Sequence, residues 1–239
     1  MKVLIFGASG MVGLGVLREC LVAADVTQVT TVGRGPADTS LFRKDRLDAG
    51  FNQALSSKLR QLVHADMFDY RAIESELAGF DACFFCLGVS SLGIREDEYA
   101  RITYDLTMAA ARSLQRLNPG MTFIYVSGAG TDSSERGKSM WARVKGATEN
   151  ALLRQGFAHA CMFRPGAIIP MHGVRSKTPA YRLLYPVLQP LLPLLRALWP
   201  DKILTTELIG KAMLEAVRHG GEKGVLETAD IHRLSLRAA

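Results

Sequence analysis

The chain of 239 residues lacks several features that would assign it to a class at once. No segment is long enough to span a bilayer. The charge-free run between Arg182 and Arg196, residues 183–195, falls short of the about 18 apolar residues that a span needs. Pro186, Pro190 and Pro193 also break any long helix there. No polybasic tract exceeds Arg43-Lys44, so a net charge of +6 and a pI near 9.3 read as a scattered basic surface that attracts small anions, not as a nucleic-acid footprint. The N-terminus enters an apolar strand with no charged leader, and no internal repeat is visible. The four cysteines, Cys20, Cys83, Cys86 and Cys161, lie in apolar stretches, which suits a reducing compartment and predicts a cytoplasmic protein. Cys83 and Cys86 spell C-x-x-C inside an expected strand. Residues three apart there point to opposite faces, so core packing is expected and a shared metal or disulfide is not.

With 48% apolar residues the chain can build a full core. Strand-like runs at 3–6, 28–32, 61–64, 82–87, 122–126, 160–163 and 225–227 alternate with helical patterns at 11–21, 70–77, 96–117 and 140–154. This alternation predicts an α/β fold, a doubly wound and mostly parallel sheet covered by helices on both faces, with a small C-terminal helical lid or substrate region. The expected division is a Rossmann domain over 1–170, a helical lid or interface insertion over 171–205, and a helix and strand over 206–239 that complete the fold. Thr205-Thr206-Glu207 starts a capped helix that runs to about Arg218. The stretch 35–57 is irregular and admits two readings, a short helix or a mobile flap. The Leu/Pro-rich stretch from Thr178 to Pro200 admits three readings: a lid over a pocket, a dimer contact, or a patch that lies on a membrane.

The most informative stretch is Gly7-Ala8-Ser9-Gly10-Met11-Val12-Gly13, which follows an apolar strand and opens a helix. Gly7 permits the tight turn, Gly10 lets the backbone approach phosphates, and Gly13 lets helix and strand pack closely. The first-turn N–H groups, with Ser9, Met11 and Val12 in the loop, then hold a dinucleotide pyrophosphate. The spacing is G-x-x-G-x-x-G, and a purely structural glycine turn is the competing reading. The second strand ends Thr31-Val32-Gly33-Arg34, with no carboxylate to take a ribose 2′-hydroxyl. Arg34 is placed to bond a 2′-phosphate, which favours NADP over NAD, or else it is a plain surface residue. Arg43, Lys44 and Arg46 could fold back to help. Asp66, beside Met67 after the third strand, either accepts from the adenine amino group or starts a turn.

The residues together resemble the short-chain dehydrogenase/reductase superfamily on its atypical and extended side, among the NAD-dependent epimerase/dehydratase-like proteins related to the Tat-interacting protein of 30 kDa. The likeness runs through the glycine loop, Thr31–Arg34, Cys86-Leu87-Gly88, Phe123–Ala129, Ala142–Glu149 and Phe163–Pro170. It implies cofactor contacts from Leu87 and Gly88, from the Arg164-Pro165-Gly166 loop, and from Lys145 on the nicotinamide ribose. It also implies an active site of Ser, Tyr and Lys, with the last two in Tyr-x-x-x-Lys on one helix face. Ser127 and Lys145 occupy the serine and lysine positions, but the tyrosine position holds Trp141. An indole N–H only donates and does not release its proton near neutral pH.

Two functions follow from the resemblance. One is an NADP-dependent oxidoreductase or epimerase on a small organic substrate, with Ser127 polarising a carbonyl or hydroxyl and Tyr181, His172 or Tyr104 standing in as proton donor. The other is a non-catalytic NADP-binding sensor that regulates a partner, with Ser127 and Lys145 only positioning the cofactor. The substrate is not legible, and a homodimer through residues 96–117 and 140–154 is what extended members suggest. His64, His159, His219 and His232 read as structural.

Overall fold

The computed structural model describes residues 1–40, 42, 53, 55, 57–174, 202–220 and 224–238. Seven strands form one parallel sheet: β1 (Lys2–Phe6), β2 (Gln28–Gly33), β3 (Leu59–Val63), β4 (Ala82–Phe85), β5 (Thr122–Val126), β6 (His159–Arg164) and β9 (Val225–Glu227). Their order is β3-β2-β1-β4-β5-β6-β9. The order reverses between β1 and β4, so a crevice opens beyond their carboxyl ends, where open parallel sheets take ligands.

The central strands β1, β4 and β5 are apolar on both sides because both sides are covered. In β1, Val3 and Ile5 pack with α1 (Met11–Val22), while Leu4 and Phe6 point the other way towards Phe85, Phe123 and Tyr125. Cys83 joins the second side and Cys86 packs against the first, and both thiols are free, as their opposite directions predict.

The expected helix 96–117 divides into α2 (Glu96–Ala100), a π-helical turn (Arg101–Asp105) and α3 (Leu106–Leu117). α4 (Met140–Leu153) and α5 (Thr206–Arg218) match expectation, and the Thr205 side chain caps α5 by accepting from Leu208 N–H at 3.1 Å. The chain closes with α6 (Thr228–Ser235).

Two features differ from the expectation. The stretch 70–77 forms a 3₁₀ helix over Arg71–Leu77 and not an α-helix, because Ile73 leaves helical geometry at φ −127°. Two short strands, β7 (Ala167–Ile169) and β8 (Ile203–Thr205), pair in parallel as a separate ribbon. Residues 175–201, which hold most of the expected lid or interface insertion and all of the Leu/Pro-rich stretch, lie outside the described residues.

α1 and α5 pack so closely that glycine is required at the crossing. A Cβ on Gly15 would stand 2.4 Å from the Thr206 Cβ, and one on Gly210 would stand 2.7 Å from the Glu19 Cγ. Gly15→Val should therefore destabilise the protein by about 1–3 kcal/mol through overpacking. Urea unfolding checks this, and a wild-type midpoint would refute the contact.

Candidate cofactor site

Beyond the carboxyl ends of β1, β2 and β4 lies a cavity of about 970 Å³. Gly7, Ser9 and Gly10 form its floor, and Arg34, Asp66 and Gly88 stand on its walls. Met67, Leu87 and Cys86 line it too, with Ile102 and Leu106 from the π-helical turn and α3.

The floor follows from the glycines. Gly7 sits at φ +81°, and a Cβ there would come within 2.7 Å of Leu87 N. A Cβ on Gly13 would lie 2.3 Å from the Gly7 carbonyl oxygen, so α1 can start this close to β1 only without one. Gly10 precedes α1 in extended geometry, and no side chain caps the helix start. The first-turn N–H groups, including those of Met11, Val12 and Gly13, are left for another acceptor.

At the wall, Arg34 is exposed and makes no hydrogen bond or ion pair among the described residues. Asp66 uses Oδ1 to accept from Phe68 N–H at 2.9 Å, a turn-forming bond that leaves Oδ2 for a ligand. Both readings of this aspartate thus describe a contact it can make at once. Arg43, Lys44 and Arg46 lie outside the described residues.

The other predicted residues gather at the ends of β5 and β6, away from the cavity lining. Ser127 is 7% exposed, and its hydroxyl donates to Glu149 Oε1 at 2.5 Å, a carboxylate with no exposed surface. Lys145 Nζ donates to the Ser127 backbone carbonyl. Arg164 binds Glu149 through Nε, at 3.1 and 3.2 Å, and through Nη2, at 2.5 Å. It also reaches Glu227 Oε1 at 3.0 Å and Ser133 Oγ at 2.5 Å.

Two expectations therefore need correction. The Ser127 hydroxyl faces a buried carboxylate and is not presented to a substrate carbonyl. The Arg164 guanidinium is held in an ion-pair cluster with Glu149 and Glu227, while Pro165 is buried with its carbonyl accepting from Ala129 N–H. Gly166 packs against Lys202 and Thr228. Glu149 itself was missed. Its one sequence signal is a glutamate four residues after Lys145, on the same helix face.

Trp141 shares that helix face with Lys145 and packs against Gly130. None of the described stand-in donors reaches the cavity. Tyr104 packs into the core beside α3, and His172 Nε2 lies 3.2 Å from Glu207 Oε2. Tyr181 is outside the described residues. His64 bonds the Asp69 carbonyl at 2.7 Å, and His219 pairs with Glu215.

No protein-family model matches the sequence. The chain is 26% identical to Protein FMP52-2, mitochondrial, of Scheffersomyces stipitis over 72% of its own length and 67% of that protein's. It is 27% identical to Protein HTATIP2 of Rattus norvegicus over 70% of its own length, spanning 63% of that relative. A Burkholderia thailandensis oxidoreductase of the short-chain dehydrogenase/reductase family superposes with a TM-score of 0.63 at 17% identity, covering 96% of this chain and 91% of that one. The fold is that of the short-chain dehydrogenases/reductases.

A further structure of this fold, MoeE5, was solved with UDP-glucose and NAD, at a TM-score of 0.65 and 16% identity, covering 95% of this chain and 75% of that one. Three fungal relatives carry names that place them in mitochondria, which overturns the cytoplasmic expectation. Buried free thiols indicate reducing surroundings and do not distinguish one reducing compartment from another.

Burial pushes the Lys145 ammonium down to about 8, against the opposing pull of Glu149. An unfolded lysine keeps its proton to about pH 10.4. Between these values the unfolded chain binds more protons, so Lys145 adds stability as pH rises; this contribution is complete above about 10.4 and lost as pH falls through 8. Urea unfolding from pH 7 to 10.5 should show this rise in wild type relative to Lys145→Met. Parallel curves for the two proteins would contradict it.

Proposed function

We propose that this protein binds NADP(H) in the cavity beyond β1, β2 and β4, and that it works as a cofactor-binding protein without the serine–tyrosine proton relay of its fold relatives. The observation that carries the reading is the pairing of an uncapped helix start, floored by Gly7 and Gly10, with Arg34, which has no partner among the described residues, on the same cavity. The N–H groups would hold the pyrophosphate and Arg34 a 2′-phosphate. Asp66 Oδ2 would accept from the adenine amino group. Lys145 would exchange the Ser127 carbonyl for ribose hydroxyls, and Leu87 and Gly88 would flank the path towards it.

The dinucleotide supplies hydride transfer when bound, but the matching proton has no carrier among the described residues placed at the cavity. Trp141 cannot release one, and Ser127 is held by Glu149. This favours the reading in which cofactor occupancy changes recognition of a partner.

The second reading, an oxidoreductase or epimerase on a small organic substrate, is favoured by Lys145. It stands four residues after Trp141, at the lysine position of the superfamily pattern. Oxidation of NADPH by simple carbonyl compounds would establish the second reading. Its absence, with a partner captured differently in NADPH and NADP, would establish the first.

The cofactor is tested by fluorescence titration with NADPH and with NADH. Charge-assisted bonds contribute roughly 1.5–3 kcal/mol each, so Arg34→Ala should weaken NADPH about tenfold or more and leave NADH nearly unchanged. Equal loss for both would reject the role of Arg34, and no saturable binding of either would reject the proposal.

A further inference from the structure

We propose that Glu149 is the positioning residue of the site, fixing the place of the Lys145 ammonium through Ser127 and favouring its charge through space. The inference rests on the cofactor reading above only for what the ammonium is used for. Glu149 lies one helical turn after Lys145 on α4, with no exposed surface. Its Oε1 accepts a hydrogen bond from the Ser127 hydroxyl at 2.5 Å, and the Ser127 backbone carbonyl accepts one from Lys145 Nζ. The serine is thus a two-sided link, with its side chain anchored on the carboxylate and its carbonyl holding the ammonium. The Ser127 N–H donates to the Phe163 carbonyl at 2.8 Å, which ties the same residue to β6.

The carboxylate is clamped in turn. Arg164 grips both its oxygens from β6, and Glu227 at the end of β9 and Ser133 in the loop before α4 fix the guanidinium. A buried carboxylate needs such partners, and here they also orient it. Besides these groups, Tyr125 from β5 and Tyr99 from α2 are packed close by. Burial pushes both phenols up, so they stay neutral. Among the described residues Glu149 is therefore the anion that acts on Lys145 at this point, and burial disfavours the ammonium that it favours.

A structural ion pair alone would not tie the lysine's titration to the glutamate. Competitive labelling with acetic anhydride, read at Lys145 by mass spectrometry across pH and without cofactor, measures that titration directly. Glu149→Gln should move the labelling midpoint measurably lower, since it removes the negative charge one helical turn away that favours the ammonium. Glu149→Asp, which keeps the charge, should return it most of the way. An unmoved midpoint in a folded Glu149→Gln variant would overturn the proposal.

If that variant does not fold, Ser127→Ala decides. It removes the hydroxyl and keeps every charge, so the high-pH labelling rate of Lys145 should rise severalfold as its tether loosens, with the midpoint unchanged. An unchanged rate would overturn the link through Ser127. Because no cofactor is present in either assay, failure of NADPH to bind would count against the cofactor reading and not against this one.

Discussion

The contact between Gly13 and the Gly7 carbonyl sets the geometry on which the rest depends. A side chain at either position would collide with backbone, with Gly7 O from one side and with Leu87 N from the other. The turn after β1 is therefore wedged between the exit of β4 and the first turn of α1. The wedge puts an uncapped helix start at the floor of a cavity, with Arg34 on its wall. It also explains the glycine spacing. The first and third glycines meet each other, and the middle one lines the cavity.

A different kind of constraint governs the ends of β5 and β6. Glu149, Arg164 and Glu227 form a charged cluster whose centre is fully buried, and such clusters are weak sources of stability because desolvation offsets most of their attraction. The structural consequence is orientation. Ser127 turns inward to complete the cluster, and Lys145 follows its carbonyl. On the function proposed above, Trp141 and the inward serine have the same chemical effect: neither offers a mobile proton at the place where the resemblance leads one to expect it.

Much of the sheet was legible because its strands are buried on both faces and read as short apolar runs between turn residues. The glycine loop was legible because close backbone approach leaves glycine as the only choice. The 3₁₀ helix at Arg71–Leu77 was not, since its apolar spacing passes for an α-helix and the break at Ile73 is a matter of backbone angle. The ribbon of β7 and β8 was invisible because three residues carry no periodicity. The partners of Arg164 were not legible for a further reason. A likeness of motif says where a residue sits along the chain, whereas its bonds go to Glu149 and Glu227, 15 and 63 residues away.

The most direct test of the account is a crystal structure of the protein grown with NADPH. The account predicts the pyrophosphate over Gly10 at the start of α1, the 2′-phosphate against Arg34, and Lys145 on the ribose with Ser127 still bonded to Glu149. A dinucleotide bound elsewhere, or one in this cavity with its 2′-phosphate turned away from Arg34, would contradict it.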